Sequence, residues 1–373
     1  MATGLALASG VAASAPVALP MTARAWQANG NATFIVREGF TQGLLQVTSD
    51  SEEGYVTLKD GAFESGTIEF DVKSASDQMP GIRFHQGPDG SADMVYVRVG
   101  PDCPVAHDCL QYLPLTHGRI LWDMYPQYQA AAPFRENEWN HIRMVVSGRR
   151  LRVYVNRESA PSLSVDHLEG DLSSGTLALE GKATYANVTI DPGIVDDLDP
   201  KPAADPSATD PSYITQWEVA TPAPLNAPGE PTFADRPKDG WAPLRAEYAG
   251  LVNLARRYPP TVKLAPRQFA WLRSTIVSTG DTTRHVAIGF LREVTVFVNG
   301  KAVFTGKNLY NVPGGRQNPE GRLSLENGGF DLPLHKGRNE VVVAIDANSP
   351  DMRGRYGWGF KMKLDNAQGL SAQ

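Results

Sequence analysis

Glu69 and Asp71 stand two residues apart in "TIEFDVK", so on an extended strand both carboxyls leave the same face. Such a pair has the residue types for acid–base work on a glycosidic bond, which uses two carboxyls about 5–5.5 Å or 6.5–9.5 Å apart. In "GIRFH", Arg83 and His85 alternate with Ile82 and Phe84, and in "VYVRV" the residues Tyr96 and Arg98 alternate with Val95, Val97 and Val99. His85 is a candidate general base, with Arg83 or Arg98 placed to stabilise an enolate-like charge beside a carbonyl. Gln111, Trp122 and Tyr125 follow. Aromatic rings stack on the C–H faces of sugars, while Arg and Gln fork onto hydroxyl pairs. The candidate substrate-binding set is therefore Tyr96, Arg98, Gln111, Trp122 and Tyr125, and the candidate catalytic set, if there is turnover, is His85, Arg83, Glu69 and Asp71. The competing reading is an ordinary solvated sheet face with His85 as a plain hydrogen-bonding residue.

The only two cysteines, Cys103 and Cys109, lie between these strands. Local zinc ligation would need four ligands, and His107 with Asp102 and Asp108 does not complete a familiar spacing. The pair reads as a disulfide, worth about 2 kcal/mol at most for so short a loop. No metal site is expected there. Gly-x-Ser-x-Gly, His-Glu-x-x-His and paired Cys-x-x-Cys motifs are absent from the sequence. Asp-rich turns permit a structural calcium, and no other cofactor is expected.

The elements that position these residues are strands. "TIEFDVK", "GIRFH", "MVYVRV", "HIRMVVSG" and "RLRVYVN" alternate with period two in the first half of the chain. In the second half, "TVFVNGKAVF" sets Asn-Gly between two alternating runs, a strong hairpin signal. "NEVVVAID" and "WGFKMKLD" are further strands, and "APLRAEYAGLVNLARRY" offers at most one short helix between prolines. "NVPGGRQNPEG" reads as a long loop. The expected fold is all-β, two antiparallel β-sandwich (jelly-roll) domains in series, at residues 27–192 and 213–373. Residues 193–212 form a Pro/Asp-rich linker, too poor in large apolar side chains to bury itself. Residues 1–26 read as an export-signal remnant, with Ala13-Ser14-Ala15 as an A-x-A pattern, or as a disordered tail outside the fold.

Charge divides unevenly. Residues 27–192 carry 13 basic and 22 acidic side chains, and residues 213–373 carry 20 and 14. The halves have the signs for docking on one another, but neither has the basic density or a motif of a nucleic-acid binder. No apolar run reaches the roughly 18 residues of a membrane span. In the basic half, Asn253, Arg256, Arg257, Arg353, Arg355, Tyr356 and Trp358 form a candidate cluster for an acidic sugar, or a rim of solvated arginines around a core Trp358.

"FESGTIEFDVK", "FRENEWNHIRMVVSGRRLRVYVNRESAP" and "GTLALEGKATYANVTI" together resemble a concanavalin A-like or laminin G-like jelly roll. They are similar to the domains grouped with 3-keto-glycoside hydrolases and family-16 glucanases. "REVTVFVNGKAVFTGKNLY" with "FDLPLHKGRNEVVVAIDAN" resembles a galactose-binding-like jelly roll. Both resemblances imply carbohydrate, recognised on the concave face of the larger sheet of the first domain. The glucanase motif Glu-x-Asp-x-x-Glu is not completed, because Lys73 and Ser74 stand where the acid belongs. The expected protein is exported, periplasmic or extracellular, and carbohydrate-binding. A glycoside hydrolase or lyase at the same face, and an adhesion module, are the alternatives.

Overall fold

The computed structural model describes residues 15–28, 31–49, 54–75, 78–225, 228–258, 267–346 and 355–372. Strands dominate, and the one α-helix among these residues, α1 (Leu254–Arg257), is a single turn. None of the helices in the described residues is long and apolar enough to cross a membrane. The chain forms two compact units. The first comprises Met1–Gly87, Ala92–Tyr112 and Gln129–Pro202, and the second Pro88–Ser91, Leu113–Tyr128 and Ala203–Gln373.

The strands of the first half, in chain order, are β1 (Val17–Ala18), β2 (Trp26–Gln27), β3 (Ala32–Arg37), β4 (Phe40–Val47) and β5 (Tyr55–Leu58). Then come β6 (Gly66–Lys73), β7 (Gly81–Gln86), β8 (Ala92–Val97), β9 (Leu110–Thr116), β10 (Arg119–Ile120) and β11 (Gln129–Ala130). The last are β12 (Trp139–Ser147), β13 (Arg150–Val155), β14 (Leu163–Val165), β15 (Thr176–Glu180) and β16 (Ala183–Pro192). One sheet has the order β14-β13-β12-β6-β16-β4-β3, with β1 on β16; the other runs β10-β9-β8-β7-β15-β5-β2, with β11 on β9. The apolar rows expected from period two do face inward: Ile68, Phe70 and Val72 of β6 and Ile82 and Phe84 of β7 are all buried. Tyr185 of β16 crosses the interior, where its hydroxyl accepts from Gly81 N–H at 3.0 Å and donates to the Glu180 carbonyl at 2.5 Å. Cys103 and Cys109 are joined, closing the loop between β8 and β9, and Arg98 N–H donates to the Cys109 carbonyl at 2.8 Å.

Two expectations for the chain outside the sandwich strands need correction. Residues 1–14, with the A-x-A pattern, lie outside the described residues, but the stretch after them belongs to the fold. Val17 and Ala18 pair with Ile190 and Thr189, and Met21 and Trp26 are buried in the core. Large apolar side chains were present there and small-residue composition masked them. The acidic segment after β16 is likewise not a free spacer. Asp196 and Asp197 pair with Arg143 and Arg152 at 2.7 Å each, the Arg150 Nε donates to the Lys201 carbonyl at 2.6 Å, and Leu198 is buried. A row of arginines on β12 and β13 supplies the partners that the segment's own composition lacks.

The second unit contains β17 (Gln216–Pro224), β18 (Ala242–Arg245), β19 (Val252–Asn253), β20 (Gln268–Ser278), β21 (Thr282–Phe290) and β22 (Arg292–Val298). It continues with β23 (Lys301–Asn308), β24 (Gly328–Leu334), β25 (Gly337–Asp346), β26 (Gly359–Leu364) and β27 (Leu370–Ala372). Its sheets run β18-β17-β20-β25-β22-β23, with β27 on β20, and β19-β26-β21-β24. The β22–β23 hairpin closes at Asn299 and Gly300, with φ of 48° and 84°, as the Asn-Gly signal requires. Trp358 is buried, so the core reading of that residue holds.

Candidate functional site

The sequence row of candidate residues does not form one face. Glu69 and Asp71 lie on β6 in one sheet, whereas Arg83, His85, Tyr96 and Gln111 lie on β7, β8 and β9 in the other. Nor is the second group an open concave surface, because every residue of β7, β8 and β9 is buried. Arg83 pairs with the fully buried Glu180 and places its guanidinium 4.1 Å from the centre of the Tyr55 ring. Burial pushes the Glu180 carboxyl up, against the opposing charge and hydrogen bond of Arg83. Tyr96 donates to Gln111 Oε1 at 2.5 Å, and Arg98 pairs with Asp108 at 2.6 Å. Strand parity could show which side chains share a face; it could not show that both faces of this sheet would be covered.

His85 departs further from expectation. The β7–β15 register slips between Thr176 and Ala178, opposite Gln86 and Arg83, and His85 is the extra residue, in left-handed backbone at φ 52°. The bulge turns its ring away from Arg83 and into a closed polar cluster. Nδ1 meets Asp93 Oδ2 at 2.9 Å, Nε2 meets the Glu64 carbonyl at 2.8 Å, and the ring stacks on Phe63. Asp93, fully buried, also accepts on Oδ1 from the Tyr112 hydroxyl at 2.5 Å and from Gly170 N–H at 3.1 Å. A Cβ on Gly170 would sit 2.5 Å from that oxygen, so only glycine lets the chain cradle the carboxylate. Tyr112 in turn accepts from Glu169 N–H at 2.6 Å. With both ring nitrogens held and 1% exposure, His85 is not placed to act as a base on a substrate.

An accessible polar site of the first unit is on the other sheet, and it includes Glu69 and Asp71. The β6–β12 register sets Asp71 opposite His141 and Glu69 opposite Arg143, and Tyr154 of β13 lies opposite Arg143 on the other side. Directly opposed residues are the closest neighbours in a sheet, so a charged row forms across three strands. His141 Nδ1 lies 2.8 Å from Asp71 Oδ1 and Nε2 3.2 Å from Glu69 Oε2. Asn187 donates to the second Asp71 oxygen at 2.7 Å. Arg143 reaches Asp196 at 2.7 Å and Glu69 at 3.6 Å, with its guanidinium 5.2 Å from the Tyr154 ring centre. Above this row is a groove of about 420 Å³, lined by Glu69, His141, Arg143, Tyr154, Arg157 and Asp196. Although three metal-ligand types converge here, His141 spends both nitrogens on the carboxylates. Among the described residues no group of three or more His, Cys, Asp and Glu side chains is arranged to hold a metal ion.

The electrostatics of the row reinforce one protonation state. The hydrogen bond to Asp71 raises the His141 pKa above its ordinary value; burial opposes this, and the Asp71 and Glu69 charges add to the rise. Burial pushes Asp71 up, but the hydrogen bonds from His141 and Asn187 and the charges of His141 and Arg157 outweigh it, leaving the group below its ordinary value. The Asp71–His141 contribution to stability is therefore present above the ordinary Asp range and complete below the ordinary His value. It is lost as pH rises through the elevated His141 titration or falls through the depressed Asp71 one. Asp71→Asn is expected to bring the His141 titration down, as read by NMR of the imidazole protons. An unchanged His141 titration would contradict this coupling.

His141, Arg143, Tyr154, Arg157 and Asp196 were not singled out in the sequence. The outward parity of "HIRMVVSG" and "RLRVYVN" held the signal for His141, Arg143 and Tyr154. Asp196 carried none, because nothing local pairs it with β12. Of the remaining sequence candidates, Trp122 and Tyr125 belong to the second unit and are buried. Tyr125 stacks on Tyr128, and its hydroxyl accepts from Asn253 Nδ2 at 3.4 Å. Asn253 caps α1 through Arg256 N–H at 3.1 Å, Arg256 pairs with Glu247, and Arg353 lies outside the described residues.

The first unit is an antiparallel β-sandwich with one buried polar cluster and one grooved polar row. Residues 21–191 match the family model of the 3-keto-α-glucoside-1,2-lyase-like domain. Among solved structures, the chain is similar to the carbohydrate-binding module CBM66 from Bacillus subtilis, at 18% identity over 44% of this chain and 93% of that one, with a TM-score of 0.33. It is also similar to a protein with a galectin-like fold from Bacillus subtilis, at 12% identity over 48% and 96%, TM-score 0.35. A third likeness is to the galectin LEC-6 of Caenorhabditis elegans, at 13% identity over 44% and 97%, TM-score 0.26. No curated protein matches the chain.

Proposed function

We propose that the protein binds a glycan or glycoside in the groove over β6, β12 and β13, without turning it over. The observation that carries this reading is the row Asp71–His141–Glu69–Arg143 on the paired strands β6 and β12, joined by Asp196 from the segment after β16 and open to solvent beside Tyr154. Planar, forked and charged groups fixed in advance are what sugar hydroxyl pairs need, because little side-chain entropy is then lost on binding. The match of residues 21–191 to a glycoside-directed domain supports the same ligand class. The Cys103–Cys109 disulfide supports an exported setting, since such bonds persist in oxidising compartments.

The family match also favours a second reading, a lyase. His141 is biased toward the imidazolium and Glu69 is its immediate carboxylate neighbour, so an acid and a base stand side by side. In a 3-keto-glycoside, Glu69 would remove the proton on C2, the electrons would form the C1–C2 double bond, and the C1–O bond to the aglycone would break. His141 would protonate the departing oxygen. Incubation of the full chain with a panel of glycosides and 3-keto-glycosides, followed by calorimetry and mass analysis, separates the two. Saturable binding with unchanged ligand mass is expected; release of the aglycone with an unsaturated sugar product would establish the lyase and sink the binding reading.

A further inference from the structure

We propose that His141 gates the groove over β6, β12 and β13 by its protonation state, so that ligand binds only while the ring carries both protons. This rests on the groove reading above and concerns how that site is regulated.

A carboxylate accepts hydrogen bonds and never donates, and an imidazole offers two N–H groups only when protonated. His141 faces a carboxylate oxygen with each nitrogen: Nδ1 hydrogen-bonds Asp71 Oδ1 at 2.8 Å, and Nε2 stands 3.2 Å from Glu69 Oε2. Only the imidazolium suits both. The neutral ring keeps one proton and turns a lone pair toward one of the two carboxylates. Asp71 keeps the proton, because its contact is the shorter and Asn187 fixes its other oxygen at 2.7 Å. Nε2 therefore gives up its proton, which leaves two electron-rich atoms 3.2 Å apart. Glu69 is the arm that yields. Its side chain is the more exposed, 39% against 24% for Asp71. Its other oxygen lies 3.6 Å from Arg143 Nε, a cation already tied to Asp196 at 2.7 Å. Glu69 and His141 both line the groove, so this one deprotonation changes the charge of the groove and moves part of its wall.

Charged neighbours reach the ring from every element around it. Arg143 shares β12, and Tyr154 lies on β13. Arg157 and Glu158 follow β13 and Asp196 follows β16, and all three line the groove. The hydrogen bond to Asp71 favours the imidazolium, burial and Arg157 oppose it, and the Asp71 and Glu69 charges add to the first effect. His141 is the one imidazole among the described lining residues. A ligand that uses the ordered row selects the protonated ring. Binding to the neutral form therefore takes up a proton, and apparent affinity falls with the protonated fraction.

The test is calorimetric titration of the full chain with methyl α-glucoside and with trehalose, across the His141 titration followed by NMR. Neither sugar carries the 3-keto group that the lyase reading requires, so the heat reports binding alone. Above the His141 titration the dissociation constant is expected to rise about tenfold per pH unit. Heats in phosphate and Tris buffers should then differ by the uptake of about one proton. Glu69→Gln supplies an amide that can donate to a neutral Nε2, so its affinity should hold nearly level over the same range. His141→Gln should also give a level profile, and bind more weakly than the parent at the acid end. A parent affinity that stays level through the His141 titration, or a Glu69→Gln variant that keeps the tenfold slope, would overturn the gate and leave the groove reading in place. No binding of either sugar at any pH would overturn the groove reading for α-glucosides and the gate with it.

Discussion

Asp93→Ala is expected to lower the unfolding free energy of the first unit by about 3–5 kcal/mol, enough to remove much of a typical domain's margin. The carboxylate is fully buried and joins three donors: the Tyr112 hydroxyl, Gly170 N–H and the His85 ring. Alanine would take the acceptor from Gly170 N–H and a buried partner from both the Tyr112 hydroxyl and the His85 ring, and each buried unsatisfied group costs about 1–3 kcal/mol. Asp93→Asn keeps the volume and one acceptor oxygen, so it should lose roughly half as much. Urea unfolding followed by tryptophan fluorescence reads both. A loss under about 1 kcal/mol for alanine would show that water or another group takes over the donors.

Arg83→Ala is the second large effect, again about 3–5 kcal/mol, because it strands Glu180 in the interior. Glu180 Oε1 already lacks a partner, and burial has raised its pKa even with Arg83 in place. Removing the guanidinium raises it further, so the folded state holds a proton that the unfolded state releases above the ordinary Glu range. Stability then falls as pH climbs through the raised value, and the penalty should be smaller near the ordinary Glu range than at neutral pH. Arg83→Met combined with Glu180→Leu should recover most of the loss, since replacing a buried pair by apolar groups is often close to neutral. A double variant as unstable as the single one would mean that the pair has a role beyond mutual neutralisation.

These interior networks mark where sequence reasoning reached and where it stopped. Alternation placed Ile68, Phe70 and Val72 in the core because period two is a local property of the strand. The hairpin at Asn299-Gly300 was legible for the same reason, since the turn chemistry is contained in two residues. Sheet membership is not local. β6 and β7 follow one another in the chain yet join different sheets, which separated Glu69 and Asp71 from the residues expected beside them. The bulge at His85 has no sequence signal comparable to a glycine, and it reversed that side chain's direction. The groove was legible only in halves: its carboxyls were read from "TIEFDVK", while the histidine that bridges them comes from a strand some seventy residues later. The pairing of Asp196 with Arg143 lay further out of reach, because the acidic segment's composition argued for a free spacer.

The most direct test of the groove is the affinity of the best glycan ligand for the parent protein, His141→Ala and Arg143→Ala, measured by calorimetry on the full chain. Both side chains are partly exposed at the lip of the groove, so their truncation should leave the fold intact. Each is expected to weaken binding by about tenfold or more, the value of a hydrogen bond to a charged group. Equal affinity across all three proteins, with the fold intact, would contradict the assignment of ligand binding to this sheet.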